Sequence, residues 1–471
     1  MAETESDELA LQAAPPEEGD ELDEDNRLKP EFVRAVADAL EAHDESRAYE
    51  LVEPLHPADI ADLFELLDHD DRGSLAKAIT DLLSPEVIAE LNDYVREDMM
   101  EALPHGAVAD IAEQLDTDDA VQLLEDLEPE DQRAILAEME PEDRAAIERA
   151  LAYPEETAGR LMQREFVAVP EHMTVGDLID YMREHDELPT EFWEVFVVDA
   201  MHKPVGTCAL SWVLRTPRNV PLADVMKRDQ TLIPVAMDQE EVALRFQKYA
   251  LISAAVVDES GRLVGQLTVD DIVHIISEEA GEDILRLSGA GEGDINEPFA
   301  LTVRARLSWL VINLGTAILA SSVVGVFQGA IAKLALLAVL MPIVSGMGGN
   351  AGTQTLAVVV RALATNQLTS SNTVRMIWRE FRIALTNGIA LAILIGSGTA
   401  LLFHNPLLGG VIASAMVINN LTAGIAGIMV PVTLDRLRID PAVSSTVFVT
   451  TATDVMGFFS FLGLAVLTGL A

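Results

Sequence analysis

The chain has 471 residues, enough for several domains, and a formal net charge of −47 with only six lysines. Its one cysteine, Cys208, excludes an intrachain disulfide and a cysteine-built metal centre. From Arg304 onward four acids stand against nine Lys and Arg, about +5, so residues 1–303 carry about −52; that acidic part lacks the basic patch a nucleic-acid partner requires.

Residues 1–26 hold eleven acids and no Lys or Arg, and residues 1–29 read as a disordered acidic tail. No positively charged start precedes an apolar core, so no cleaved signal peptide is expected. Acids also appear in loops without grouping. Such a surface fits adaptation to a salt-rich cytosol, and individual clusters remain candidates for cation binding.

Residues 30–158 alternate short helical patterns with acidic turns. "ADLFELLDHDD" (61–71) returns as "ADIAEQLDTDD" (109–119), and Pro or Asp sits at the breaks in "LHPAD", "LSPE", "LEPED" and "MEPED". The pattern predicts an α-helical superhelical domain built from repeated helix–turn units.

A second repeat fills residues 159–276. "VFVVDAMHKPVGTCALSWVL" (195–214) aligns with "AAVVDESGRLVGQLTVDDIV" (254–273), matching Asp199 to Asp258 and Gly206 to Gly265. Each copy reads helix, strand, turn, strand, helix. This order resembles a tandem pair of α/β cystathionine-β-synthase-type (CBS) modules, which act as regulatory sensors. The resemblance implies an adenine nucleotide such as ATP, with Asp270 and Asp271 of "TVDD" as ribose contacts; the plainer reading is that these acids cap the following helix.

Residues 277–303 begin with "SEEAGEDILRLSG", a connecting acidic helix. Glu279, Glu282 and Asp283 fall at i, i+3 and i+4, on one face, where like charges repel unless a cation bridges them or the face is simply solvated.

Five apolar runs long enough to cross a bilayer follow: Leu307–Phe327, Leu334–Val360, Ile383–Phe403, Pro406–Leu434 and Ala442–Leu470. Residues 304–471 therefore read as an all-α membrane domain. Arg304, Arg306, Arg361, Arg375, Arg379, Arg382, Arg436 and Arg438 fall in alternate connections, and the opposite ones hold only Lys333 and His404. The excess of Arg predicts a cytoplasmic N-terminal half and an outside C-terminus in a multi-pass cell-membrane protein.

Asp454, in "VTTATDVMGFF", is the one formally charged side chain of the last run. A carboxylate at bilayer depth costs at least about 3 kcal/mol and persists where it lines a watery path or meets a cation. Thr450, Thr451 and Thr453 surround it with hydroxyls, and Asp440 precedes it near the cytoplasmic end of the run. In "MPIVSGMGGNAGTQ" (341–354) the glycines predict a loosened helix whose freed carbonyls face protein or a water-filled cavity. Those carbonyls, Asn350 and Gln354, and Asn419 and Asn420 of "INNLTAG", form an all-oxygen donor set that suits Mg²⁺ or Ca²⁺.

With "PIVSGMGGNAGTQ", "RALAT", "DPA" and "TDVMG" in this order, the chain resembles the MgtE family of magnesium channels over nearly its whole length. The resemblance implies a homodimer in membrane lipid, with Mg²⁺ as both substrate and regulator. It implies that Asp454 is the pore carboxylate and that Gly346, Gly349, Asn350, Asn419 and Asn420 line the ion path. It further implies regulatory Mg²⁺ ligands at Asp118, Glu240, Asp271, Glu279, Glu282, Asp283 and Asp440. Gln122, Ala250 and His274 stand where the family pattern leads us to expect acids, so part of the regulatory set is missing or rearranged. The function so implied is a Mg²⁺-selective uptake channel gated by cytosolic Mg²⁺. A coupled secondary divalent-cation transporter and a non-transporting membrane nucleotide or Mg²⁺ sensor are the alternatives. No enzyme constellation is legible: there is no Walker-type loop and no Ser/His/Asp set.

Overall fold

The computed structural model describes residues 21–471 apart from 85, 86, 89, 126, 186, 187, 190, 191, 289–295, 370, 443 and 444, and apart from the side chain of Asp283. Residues 1–20 of the expected tail, Pro85 of "LSPE", residues 289–295 of the connecting segment and the Asp283 carboxylate lie outside the described residues. The chain divides into two compact units, Met1–Ser277 and Glu278–Ala471.

The first unit opens with short helices: α1 (Pro30–Glu41), α2 (Glu45–Val52), α3 (Pro57–Leu66), α4 (His69–Ala78), α5 (Asp93–Ala102), α6 (His105–Ala112), α7 (Thr117–Glu125), α8 (Pro129–Glu138) and α9 (Pro141–Leu151). Proline starts α1, α3, α8 and α9, where its missing N–H is no loss and its fixed φ suits the first turn. The 61–71 and 109–119 repeat is one unit used twice. In each copy a helix ends, the chain breaks, and the next helix begins with paired acids in its first turn: Asp70 and Asp71 in α4, Asp118 and Asp119 in α7. Helices this short are marginal alone and hold through packing. They share one core in which Phe32, Phe64, Leu75, Met99 and Leu124 are buried. Leu28, within the expected tail, is buried in that core too.

The CBS repeat is exact in register. Strands β1 (Ala168–Pro170), β2 (Glu194–Val198) and β3 (Pro204–Ala209) form one sheet, and β4 (Leu232–Pro234), β5 (Ser253–Val257) and β6 (Leu263–Thr268) form the other. In both, the first strand is parallel and the third antiparallel to the middle one, and Val197 faces Gly206 as Val256 faces Gly265. The matched acids close matched turns. Asp199 accepts the N–H groups of Met201 and Lys203, and Asp258 those of Ser260 and Arg262. The matched glycines admit matched methionines: a Cβ at Gly206 would meet Met226 Sδ at 2.8 Å, and one at Gly265 would meet Met162 Sδ at 2.7 Å. Around these strands lie α10 (Val175–Glu184), α11 (Leu210–Val213), α12 (Leu222–Val225) and α13 (Gln239–Tyr249). The helix expected to begin at 277 is continuous with the last CBS helix, as α14 (Val269–Ser288).

The second unit holds α15 (Phe299–Val326), α16 (Gln328–Lys333), α17 (Leu336–Ala364), α18 (Thr373–Leu402), α19 (Pro406–Arg436) and α20 (Ser445–Leu467). All but α16 are long and apolar enough to cross a membrane, giving five candidate spans. Helix α19 is the central one: 61% of its most apolar stretch is buried, against 6% for α15. The expected loosening at 341–354 does not occur. Helix α17 runs without interruption through Pro342 and all four glycines of that segment, so their backbone carbonyls stay within the helix.

Candidate functional site

The four glycines of "SGMGGNAG" divide into two faces. Gly348 and Gly352 are buried against α19 and α20, where a Cβ at Gly352 would meet Val449 Cγ1 at 2.6 Å. Gly346 and Gly349 have nothing within 4 Å of a built Cβ, and with exposed Asn350 and Thr353 they form an open stripe at helical spacing. Small residues on the packed face let helices approach closely in a membrane. The open face leaves the Asn350 and Thr353 side chains exposed.

Asp454 is half-buried on α20. The hydroxyl of Ser345, on α17, donates to its Oδ1. The neighbouring hydroxyls expected to serve Asp454 turn back on their own helix instead: Thr450 to Thr446 O, Thr451 to Val447 O and Thr453 to Thr450 O, at 2.6–2.9 Å. Serine 345 is therefore the hydrogen-bond partner that the sequence left unnamed.

Asn419 and Asn420 are buried inside the helix bundle, 0% and 1% exposed, rather than on an open surface. Asn419 Nδ2 donates to Val344 O at 2.8 Å and Asn420 Nδ2 to Met416 O at 2.9 Å. Both amide oxygens lack a hydrogen-bond partner among the described residues. The Asn419 bond joins α19 to α17, the Asn420 bond stays within α19, and both side chains lie inside the bundle of one subunit, where the expectation had them lining the ion path. Gln354, expected as a buried oxygen donor, is exposed.

Asp440 caps the segment before α20 through Ala442 N at 2.7 Å, and its Oδ2 meets Arg286 Nη1 at 3.0 Å. Arg286 also pairs with Glu282 one turn earlier on α14. Thr446 Oγ1 donates to Leu287 O at 2.8 Å, so the end of α14 is tied to the foot of the last span at two places. Glu279 and Glu282 are half-buried on α14.

In the first unit, the N-termini of α7 and α14 bring acids together. The segment 163–165 runs between them: Gln163 Nε2 donates to Asp271 Oδ2 at 3.1 Å and its backbone pairs with Gln266 on β6. Two residues on, Glu165 accepts from Thr117 N at 3.2 Å and Thr117 Oγ1 at 2.7 Å. Asp118 is 4% exposed, and its Oδ1 has no hydrogen-bond partner among the described residues. Burial first, then the charges of Asp271, Asp119, Asp116 and Glu165, hold the Asp118 carboxyl well above the usual carboxylate range. Burial and Asp271 push Asp119 up to about 7. Asp271 rises to about 6, mainly by burial, against the lowering effect of its bond from Thr268. No three His, Cys, Asp or Glu side chains among the described residues already converge as an ion cage. The donor set nonetheless fits a hard dication. It is all oxygen, mutually repelling and partly desolvated, with an unpartnered oxygen inside.

The other expected regulatory positions are dispersed. Glu240 is exposed in the first turn of α13, and Asp270 is exposed at the start of α14. Gln122 is half-buried on α7, His274 is exposed on α14, and Ala250 ends α13 in a left-handed conformation at φ 50°. Asp119, Asp116 and Glu165 were missed; the run "LDTDD" was the available signal, and Glu165 had none. Glu380, on α18, was also passed over: it is 6% exposed, with the Thr355 hydroxyl 3.5 Å away.

Residues 341–464 match the family model for divalent cation transporters, which sets the class as a membrane transporter of divalent cations. Residues 55–156 match the MgtE intracellular N domain, and 158–209 with 222–278 match CBS domains. The chain is 32% identical to the magnesium transporter MgtE of Enterococcus faecalis over 451 residues, covering 94% of this chain and 98% of that one. It is 32% identical to the magnesium transporter MgtE of Bacillus subtilis over 68% of this chain and 71% of that one. A crystal structure of the cytosolic domain of the Mg²⁺ channel MgtE in complex with ATP is similar over 52% of this chain and 99% of that one, at 28% identity and a TM-score of 0.47. The chain belongs to the MgtE family of magnesium transporters.

Proposed function

We propose that the protein is a Mg²⁺-selective channel for magnesium uptake. It works as a homodimer, with one Asp454 from each subunit on the two-fold axis. The observation that carries this reading is the half-buried Asp454 carboxylate on the last span, together with the open Gly346, Gly349 and Asn350 stripe of α17. Mg²⁺ sheds water reluctantly, and a carboxylate acting through those waters holds the ion without trapping it. The Arg residues between spans support a cytoplasmic first unit and an outside C-terminus in the cell membrane.

Gating belongs to the acids. Mg²⁺ among Asp118, Asp119 and Asp271 neutralises their repulsion and holds the helical domain to the second CBS module, favouring the closed state. Without Mg²⁺ the like charges loosen that contact, and the population shifts toward the open state. Asp440, Glu279, Glu282 and Asp283 form the second regulatory group. An adenine nucleotide at the CBS pair would meet Asp270; the Asp271 carboxylate is already bonded to Thr268 and Gln163.

Mg²⁺ currents through purified protein in planar bilayers, with no pH or Na⁺ gradient, test the reading. Conduction that falls as cytosolic-side Mg²⁺ rises supports a gated channel. Flux that needs a proton or Na⁺ gradient would instead make it a coupled transporter, with Asp454 as the carrier.

A further inference from the structure

The Asp454 carboxylate is not placed by its own helix alone. Asn419 fills a gap between α17 and α20 that two glycines create. A Cβ at Gly457 would lie 2.8 Å from Asn419 Nδ2, and one at Gly348 would overlap the same amide. Its Nδ2 donates to Val344 O at 2.8 Å, which fixes α17 against α19 at this level. Ser345 lies three residues before Gly348, and Asp454 lies three residues before Gly457. Positions three apart share a helix face, so Ser345 and Asp454 lie on the two helix faces that meet at the clamp. There the Ser345 hydroxyl donates to Asp454 Oδ1. Among the described residues it is the hydrogen-bond partner of that carboxylate, and Oδ2 remains for the ion's water shell.

We propose that Ser345 is a positioning and selectivity-determining residue for Asp454, and that Asn419 is the clamp that brings the two together. The inference rests on the reading of Asp454 as the pore group. A donated hydroxyl hydrogen fixes the rotamer and draws charge from the carboxylate. A weaker, fixed field attracts a hydrated Mg²⁺ through its waters but does not strip them. Without the hydroxyl the bare carboxylate gains field strength and freedom. It then holds Mg²⁺ longer, and Ca²⁺, which gives up water more readily, longer still.

Mg²⁺ currents of the full-length dimer in planar bilayers test this with Ser345→Ala, Ser345→Thr and Asp454→Asn, each also checked for thermal unfolding in detergent. For Ser345→Ala we expect the half-saturating Mg²⁺ concentration to fall by about three- to tenfold, as for the net loss of one ordinary hydrogen bond. The maximal current should fall with it, Ca²⁺ block should strengthen, and the unfolding temperature should hold. Ser345→Thr, which keeps the hydroxyl, should restore both readouts. A purely structural serine would move the unfolding temperature and leave half-saturation and Ca²⁺ block alone, which would overturn the proposal. If Asp454→Asn is silent while Ser345→Ala matches wild type, the pore reading stands and the positioning role alone falls. If Asp454→Asn conducts normally, both fall together.

Discussion

Arg286 Nη1 lies 3.0 Å from Asp440 Oδ2. A cation built into the chain thus occupies a carboxylate that the family resemblance assigns to Mg²⁺. The pair is about one-third exposed on each side, 36% and 32%, so its strength is modest, about 0.2–1 kcal/mol. It also joins the end of α14 to the foot of the last span, beside the Thr446 to Leu287 bond.

On the proposed function, Arg286 competes with Mg²⁺ for Asp440. In Arg286→Gln the Mg²⁺ concentration that half-closes the channel should fall by about two- to fivefold, the range that the pair's strength allows. Arg286→Lys should lie between the two. Titrating internal Mg²⁺ against current reads this directly. A shift to higher Mg²⁺ would mean that the tether itself, not the competition, sets the threshold.

The acid cluster makes stability depend on pH in a definite direction. Asp119 and Asp271 titrate near 7 and 6 in the fold, against 3.8 when unfolded. Between those values the folded state binds more protons, so stability is lost as pH rises from about 4 to 7. The loss should be several kcal/mol, at about 1.4 kcal/mol for each pKa unit by which the fold raises the two groups. Thermal unfolding of the Mg²⁺-free protein should show the decline, and saturating Mg²⁺ should flatten it. Apparent Mg²⁺ affinity should rise over the same window, because binding displaces protons.

Neutralising the cluster should imitate the ion in part. Asp118→Asn removes a buried carboxyl that burial and the neighbouring acids keep from ionising, and whose Oδ1 has no hydrogen-bond partner among the described residues, so the Mg²⁺-free protein should become more stable at high pH, where the wild-type carboxyl is driven to ionise, by about 1–3 kcal/mol. The Mg²⁺-induced shift in unfolding temperature should shrink. An unchanged shift would place the regulatory ion elsewhere.

The glycine faces predict opposite responses to one methyl group. Gly457→Ala drives a Cβ to 2.8 Å from Asn419 Nδ2 and should cost about 1–3 kcal/mol with loss of current. Gly398→Ala, with nothing within 4 Å, should leave current intact and hold or raise stability. Thermal unfolding and currents of the two variants, side by side, check this.

What the sequence made legible was local. Prolines at helix starts, the paired acids of the helical repeat, and the Asp–Gly alternation of the CBS repeat are each read from neighbours in the chain and reappear in place. The five apolar runs reappear as helices, although α15 begins at Phe299 and α18 at Thr373, because the charges in their early turns (Arg304 and Arg306; Arg375, Arg379, Glu380 and Arg382) hide those starts from a hydropathy reading. The misreadings concern contacts across the chain. "SGMGGNAG" looked like a broken helix because glycine weakens an isolated one, whereas its packed face is what α19 and α20 require. Asn419 and Ser345 meet partners 75 and 109 residues away, and Arg286 one 154 away. No period or spacing in the sequence encodes those pairings.

The central claim concerns one carboxylate, and its most direct test is the Mg²⁺ current of Asp454→Ala against wild type in planar bilayers, at low internal Mg²⁺ and with no other gradient. We expect wild type to conduct and the variant to be silent, while its dimer and unfolding temperature persist. A variant that carries Mg²⁺ at the wild-type level would contradict the account.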